Sequence, residues 1–431
     1  MRAAGILATL AAGLMCSGLL AFPANAGTGM LVGVDDDSLK WDASPGPSVA
    51  VMRDLGLKAI RITVPWHAGE TTLSRLDQRQ LDHAVVASWG LRDVLAVYGN
   101  AADAPQDATD RQGYCTFVAG LLRRYPTVND IVIWNEPNTS RFWQPQFAQD
   151  GTSVAPAAYE ALLARCYDKL HATRGSVNVI AASSPRGNDR PLATSNISHS
   201  PVTWYTQLGA AYRASRRTTP IFDTVGHNPY PDTTSERPWV HHLSSASIAE
   251  GDYDKLMKTL TDAFGGTGQP LPGQGRVSIW YMEDGFQSAI EFAKQGLYRG
   301  RETDRHALPP WSARTTASNH DGPAPDQATQ LGDAVRLAFC QPAVGAFFNF
   351  ELADEPDLAG WQSGVLWTDG TPKPSYQAFK KAIADVNAHS VDCGQFAPAA
   401  TAKSAQSPVI RVIPQPQPKK RKPKVPVVTV G

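Results

Sequence analysis

The chain is 431 residues long, 42% hydrophobic, 9% aromatic and 19% charged, the balance of a soluble globular protein with material for a large core. Its formal net charge of zero hides a split: with the seven basic residues of the C-terminal stretch and Arg2 set aside, residues 27–393 carry 32 bases against 40 acids. An acidic body without a basic helix or zinc motif repels phosphate, which excludes nucleic acid as a partner.

The chain opens with Arg2 and the apolar run AGILATLAAGLMCSGLLAF (residues 4–22), followed by Ala24-Asn25-Ala26. This pattern predicts a secretory signal peptide over 1–26 and a secreted, extracellular protein with no stable membrane insertion after cleavage. A membrane anchor is the rival reading, since the run approaches spanning length, but its Gly and Ser interruptions and the A-x-A site favour export. Loss of the leader removes Cys16 and leaves Cys115, Cys166, Cys340 and Cys393. Two disulfides are expected among three connectivities, with 115–166 and 340–393 favoured over the other pairings and over four buried free thiols.

From residue 30 onward, short apolar strands alternate with amphipathic helices. The strands are MLVGVDD (30–36), AIRITVPW (59–66), DVLAVYG (93–99), DIVIWNE (130–136), VNVIAAS (177–183), DTVGHNPY (223–230), VSIWYME (277–283) and VGAFFNF (344–350). Helices are predicted over 48–56, 76–90, 114–125, 157–172, 203–215, 252–265, 326–340 and 375–388, from apolar spacings of three and four. Gly56, Gly90 and Gly265 stand where left-handed caps would close three of them. Near-continuous Val, Ile, Leu and Phe suits strands buried on both faces, and eight strand-helix units predict an α/β fold, a (β/α)₈ TIM barrel forming one catalytic domain over 27–393. A doubly wound sheet is the alternative, but neither G-x-G-x-x-G nor a Walker loop is present. The segment Ser288–Pro325 is long for a strand-helix loop and is expected to shape the cleft. Residues 394–431, with PQPQPKKRKPKVP, hold too much Pro and too little apolar material to pack. They read as a disordered basic tail, inert or with the charge to contact an anionic cell surface.

Functional side chains in this fold sit at the carboxyl ends of strands. Glu136 ends the fourth predicted strand and Glu283 the seventh. Two carboxyls facing each other across a barrel mouth suit glycosidic bond cleavage, in which one protonates the leaving oxygen and the other stands by the anomeric carbon. Trp66, Trp143, Trp361 and Trp367 lie near strand-end loops, and Trp361 is the favoured platform for a sugar ring; Trp134 and Trp280 read as barrel packing. The sequence holds no H-x-H or H-E-x-x-H pair, so neither metal nor organic cofactor is expected.

These residues resemble the retaining (β/α)₈ glycoside hydrolases, cellulase-like and xylosidase-like, over roughly residues 30–390. The resemblance implies Glu136 of Trp134-Asn135-Glu136-Pro137 as acid/base, Asn135 as partner of the sugar 2-hydroxyl, and Glu283 as nucleophile. It further implies that Arg61 holds the nucleophile ionised and that His227 and Tyr230 contact nucleophile or sugar. The sequence departs from the family at MEDG, where Asp284 replaces an aromatic and becomes a rival to Glu283; strand parity and the family pattern favour Glu283. The expected function is hydrolysis of an oligo- or polysaccharide by double displacement, with a non-catalytic glycan-binding barrel or a transglycosylase as alternatives.

Overall fold

A computed structural model describes residues 29–302, 318–319, 322–323 and 326–396; the expected leader and nearly all of the expected tail lie outside these residues. Eight parallel strands close into a barrel: β1 (Leu31–Asp35), β2 (Ala59–Pro65), β3 (Arg92–Tyr98), β4 (Asp130–Ile133), β5 (Asn178–Ala181), β6 (Thr224–His227), β7 (Ser278–Asp284) and β8 (Val344–Phe350). Closure is made by β1, which pairs with β8 from Leu31↔Ala346 to Asp35↔Phe350 and with β2 from Gly33↔Ala59 to Asp35↔Arg61.

Among the described residues, eight α-helices cover the barrel: α1 (Gly46–Leu55), α2 (Arg75–Ala87), α3 (Ala108–Arg124), α4 (Ala155–Thr173), α5 (Pro201–Ala214), α6 (Tyr253–Phe264), α7 (Gln327–Cys340) and α8 (Ser375–Asn387). Four start on a side-chain cap, in which Ser74, Asp107, Ser200 and Asp326 accept from backbone N–H groups of the first turn; such a cap is worth about 1 kcal/mol. Helix α3 begins six residues before the expected Tyr114, because Asp107 nucleates a polar first turn that carries no apolar period. Gly56 closes α1 with φ 84° as expected. Gly265 does not adopt a left-handed form: it is extended at φ −54°, and Gly266 takes the left-handed turn instead. Gly90 is left-handed, but α2 has already ended at Ala87.

Two apolar layers follow from strand alternation. Ala59, Val94, Ala96, Val132, Ile180, Trp280, Met282, Ala346 and Phe348 fill the barrel, while Val32, Val34, Ile60, Ile62, Ile131, Ile133, Val225 and Ile279 face the helices. Each fully buried aliphatic side chain contributes about 1.5–3 kcal/mol of transfer free energy. Gly33 is required by closure, since a Cβ there would lie 2.6 Å from Phe348 Cε1 and 2.8 Å from the Ala59 carbonyl. Disulfides join Cys115 to Cys166 and Cys340 to Cys393, the expected connectivity. They tie α3 to α4 and the end of α7 to the chain after α8. No described helix is long and apolar enough to cross a membrane.

Candidate active site

Alternation brings Asp35 and Tyr98 to inward positions at the ends of β1 and β3, and Arg61 to one within β2 paired with Asp35, and all three line a cleft of about 920 Å³ at the barrel mouth. On β4 the alternation is broken. Val132 points inward, and two residues later Trp134 should follow it, but Trp134 is left-handed at φ 66°. Its ring instead packs edge-on against Trp66 at 6.0 Å and Trp143 at 5.7 Å in the helix-facing layer. The turn continues through Glu136, left-handed at φ 36°, and Asn135 and Glu136 both emerge in the cleft.

Alternation is broken again on β7. Trp280 and Met282 fill the barrel, so parity favours Asp284 for the inward position, contrary to the parity expectation from the sequence. Between Phe347↔Tyr281 and Asn349↔Asp284, however, β7 uses three steps where β8 uses two. The extra residue is a β-bulge, a device that re-aims a side chain. Glu283 lines the cleft and Asp284 does not. Asp284 is fully buried behind it, with Oδ1 accepting from Gly285 N at 2.8 Å and Oδ2 unpartnered; burial pushes this carboxyl up to about 7.

The two cleft glutamates have unlike surroundings. Glu283 Oε1 lies 2.9 Å from Arg61 Nη1, and Oε2 accepts from the Tyr230 hydroxyl at 3.3 Å. Arg61 also pairs with Asp35 through Nη1 and donates from Nη2 to Asn135 Oδ1 at 3.0 Å. Burial opposes the Arg61 charge, yet Asp35 and Glu283 outweigh it and hold its pKa above the ordinary arginine value. Glu136, by contrast, has one hydrogen-bond donor among the described residues, Asn228 Nδ2 at 2.9 Å. Burial, followed by the charge of Glu283, pushes the Glu136 carboxyl up to about 7, with Asn228, Arg141 and Arg186 opposing.

Trp361 lines the cleft in the loop after β8, 5.5 Å from the Tyr230 ring and edge-on to Phe350 at 5.4 Å. Of the other candidate platforms, Trp66, Trp143 and Trp367 are buried in the core. The cleft thus gathers Arg61, Asn135, Glu136, Tyr230, Glu283 and Trp361. His227 is left out: its parity on β6 is outward, its Nδ1 meets Ser183 Oγ at 2.8 Å, and its Nε2 meets the Ile248 carbonyl at 2.8 Å. Burial drives its pKa down to about 4, so it is a neutral ring occupied at both nitrogens. Among the described residues, no three His, Cys, Asp or Glu side chains are arranged to hold a metal ion.

No protein-family model and no curated protein matches the chain. Solved structures do. A glucosidase from Croceicoccus marinus is 13% identical at TM-score 0.52, with 84% of this chain aligned to 69% of that one. A family 1 β-glucosidase from Thermotoga maritima is 14% identical at TM-score 0.51, with 84% of this chain aligned to 98% of that one. The chain shares the (β/α)₈ barrel of these glycosidases. It spans 51% of a GH2 β-galacturonidase from Eisenbergiella tayi, at 13% identity and TM-score 0.47, a match too loose to carry an argument. At such identities the likeness reaches the fold and stops there.

Sequence reasoning missed Asp35 and Asn228. Both had a signal. Asp35 is the inward successor of Leu31 and Gly33, and Asn228 follows Thr224 and Gly226 on the same parity, so counting alternation on β6 selects Asn228 over its neighbour His227.

Proposed function

We propose that the protein is a retaining glycoside hydrolase. The carrying observation is that one cleft holds two carboxyls in opposed environments, Glu136 half-buried, without a cation bonded to it among the described residues and with its pKa pushed up to about 7, and Glu283 bonded to a cation and a phenol. A protonated acid and an ionised nucleophile are the two states that double displacement needs at once. A glycan-binding barrel without turnover has no use for that opposition.

In the first step a Glu283 carboxylate oxygen attacks the anomeric carbon. The bond to the leaving oxygen breaks, and Glu136 delivers its proton to that oxygen. The product is a glycosyl ester on Glu283 and an ionised Glu136. In the second step Glu136 takes a proton from water, the water oxygen attacks the same carbon, and Glu283 leaves as carboxylate. Arg61 and Tyr230 stabilise Glu283 whenever it is anionic. Asn135 accepts from Arg61 with Oδ1, which leaves Nδ2 to donate to the sugar 2-hydroxyl. Trp361 offers a face for the ring. Export through the N-terminal leader belongs to the same reading, supported by the two disulfides, which persist in oxidising compartments.

The test is mass spectrometry after treatment with 2-deoxy-2-fluoro glycosides of several configurations. The expected result is one glycosyl adduct, on the peptide carrying Glu283. Binding of glycans with no adduct and no release of any aryl aglycone would leave the binder reading standing.

A further inference from the structure

The cleft is larger than its two carboxyls need. At about 920 Å³ it stands at the upper end of the about 300–1,000 Å³ in which sites hold a whole drug-sized ligand, so one sugar ring fills only part of it. Trp361 marks the place of that first ring: its indole lies 5.5 Å from the Tyr230 ring, and the Tyr230 hydroxyl bonds Glu283. The loop after β4 brings Phe142 and Arg141 to the cleft, with the guanidinium 5.4 Å from the Phe142 ring. The loop after β1 brings a second tryptophan, Trp41.

Trp41 is 61% exposed. Of the large apolar side chains left exposed among the described residues, it is the one that lines the cleft. Its mounting is rigid. Trp41 N donates to the Ser38 carbonyl at 3.1 Å, closing a short 3-10 turn over Ser38–Lys40. The Lys40 ammonium, 4.8 Å from the indole centroid, donates to the Thr63 carbonyl at 2.9 Å and lies 3.1 Å from Asp37 Oδ2. Thr63 N donates in turn to Asp37 Oδ1 at 2.8 Å, so the turn is tied to β2 through both backbone groups of Thr63. A cation anchored against an indole holds the ring, because the attraction acts over its face. A large apolar ring held still in water adds little to the fold, but it spares the ordering cost when a ligand stacks on it.

Barrel order places this ring on one side of the bond to be cut. Strand β8 stands between β7 and β1, and β4 lies opposite it. A leaving group protonated by Glu136 lies toward β4, and a sugar bonded to Glu283 lies toward β7 and β8. The loops carrying Trp361 and Trp41 are joined where Leu352 N donates to Asp36 Oδ2 at 3.2 Å, so both tryptophans belong to one tied rim. We propose that Trp41 is the platform of a second glycone subsite: the substrate is a saccharide chain with at least two units on the nucleophile's side of the broken bond, the first on Trp361 and a later one on Trp41. The inference rests on the glycosidase reading for which bond is cut, not for the binding of a further sugar.

Two measurements on the purified protein separate the two ideas. The first is calorimetric binding of gluco-, xylo-, manno- and galacto-oligosaccharides of one to five units. The second is kcat/KM for aryl glycosides that carry the same chains as glycone. Both are expected to rise about tenfold or more from one unit to three in the series that the cleft accepts. In Trp41→Ala that gain should shrink about tenfold, and Trp41→Tyr, which keeps a ring, should restore most of it. Truncating so exposed a side chain opens no core cavity, and the urea midpoint checks that the fold is intact. A gain with length that depends on Trp41, with no aglycone released from any probe, would sink the hydrolase reading and keep the second subsite. No gain with length in any series, or a gain that Trp41→Ala leaves in place, overturns the present inference whatever the turnover.

Discussion

The ends of β4 and β7 present the same side chain in opposite circumstances. Both strands abandon alternation to do so, β4 through left-handed residues at Trp134 and Glu136 and β7 through an inserted residue. The first change half-buries Glu136 where, among the described residues, Asn228 is the one side chain donating to it; the second aims Glu283 at Arg61 and Tyr230. The lesson is that what a strand-end glutamate meets is decided by its neighbours around the barrel. Burial and the charge of Glu283 raise the Glu136 carboxyl against the opposing Asn228 amide, while β2 sets the Arg61 guanidinium against Glu283.

The contrast can be broken most severely at β7. Glu283→Ala is expected to lower kcat by about 10⁴-fold or more for every leaving group, since no other carboxyl of the cleft is held by the Arg61 and Tyr230 pair. Steady-state rates on a leaving-group series measure this, and an uneven loss would assign the nucleophile elsewhere. Glu136→Ala should cost about 10²- to 10⁴-fold on poor leaving groups and little on good ones, which need no proton. In the unaltered enzyme kcat/KM should fall as pH rises through about 7, because the proton that Glu136 donates is lost there; that limb should vanish for good leaving groups in the variant.

Arg61→Met probes the link between the two sites of charge. It leaves Asp35 and Glu283 without their buried cation, an imbalance of about 3–5 kcal/mol against folding, readable as a lowered urea midpoint. Full retention of stability at neutral pH would show that these carboxyls do not depend on Arg61. Asn228→Ala sharpens the comparison at the β4 end with the smallest effect. Loss of a donor to the ionised form raises the Glu136 pKa further, so the alkaline limb should move upward from about 7. A downward move would mean that Asn228 serves the protonated acid instead.

Much of this was legible in the residues. Each of the eight strands falls where an apolar run was read, because a strand buried on both faces needs Val, Ile, Leu and Phe at nearly every position. The even cysteine count that remains after the leader predicted two disulfides but left three connectivities open, of which the structure has the favoured one. Asp284 against Glu283 was harder: Glu283 was favoured partly on strand parity, but the inward Trp280 and Met282 put Asp284 on that parity, and Glu283 reaches the cleft only through the bulge formed in pairing with Asn349 on β8. His227 misled because its identity suggested chemistry while its outward parity commits it to Ser183 and Ile248.

The sequence by itself determined the number and order of strand-helix units and the strand ends at which the carboxyls stand, since those follow from local periodicity of apolar side chains. Tertiary structure alone decided which of two adjacent acids enters the cleft and which partners each cleft glutamate meets there. Those outcomes depend on register between strands and on distances to Arg61, Tyr230 and Asn228. Such distances are set by barrel closure among residues far apart in the chain, and no local pattern records them.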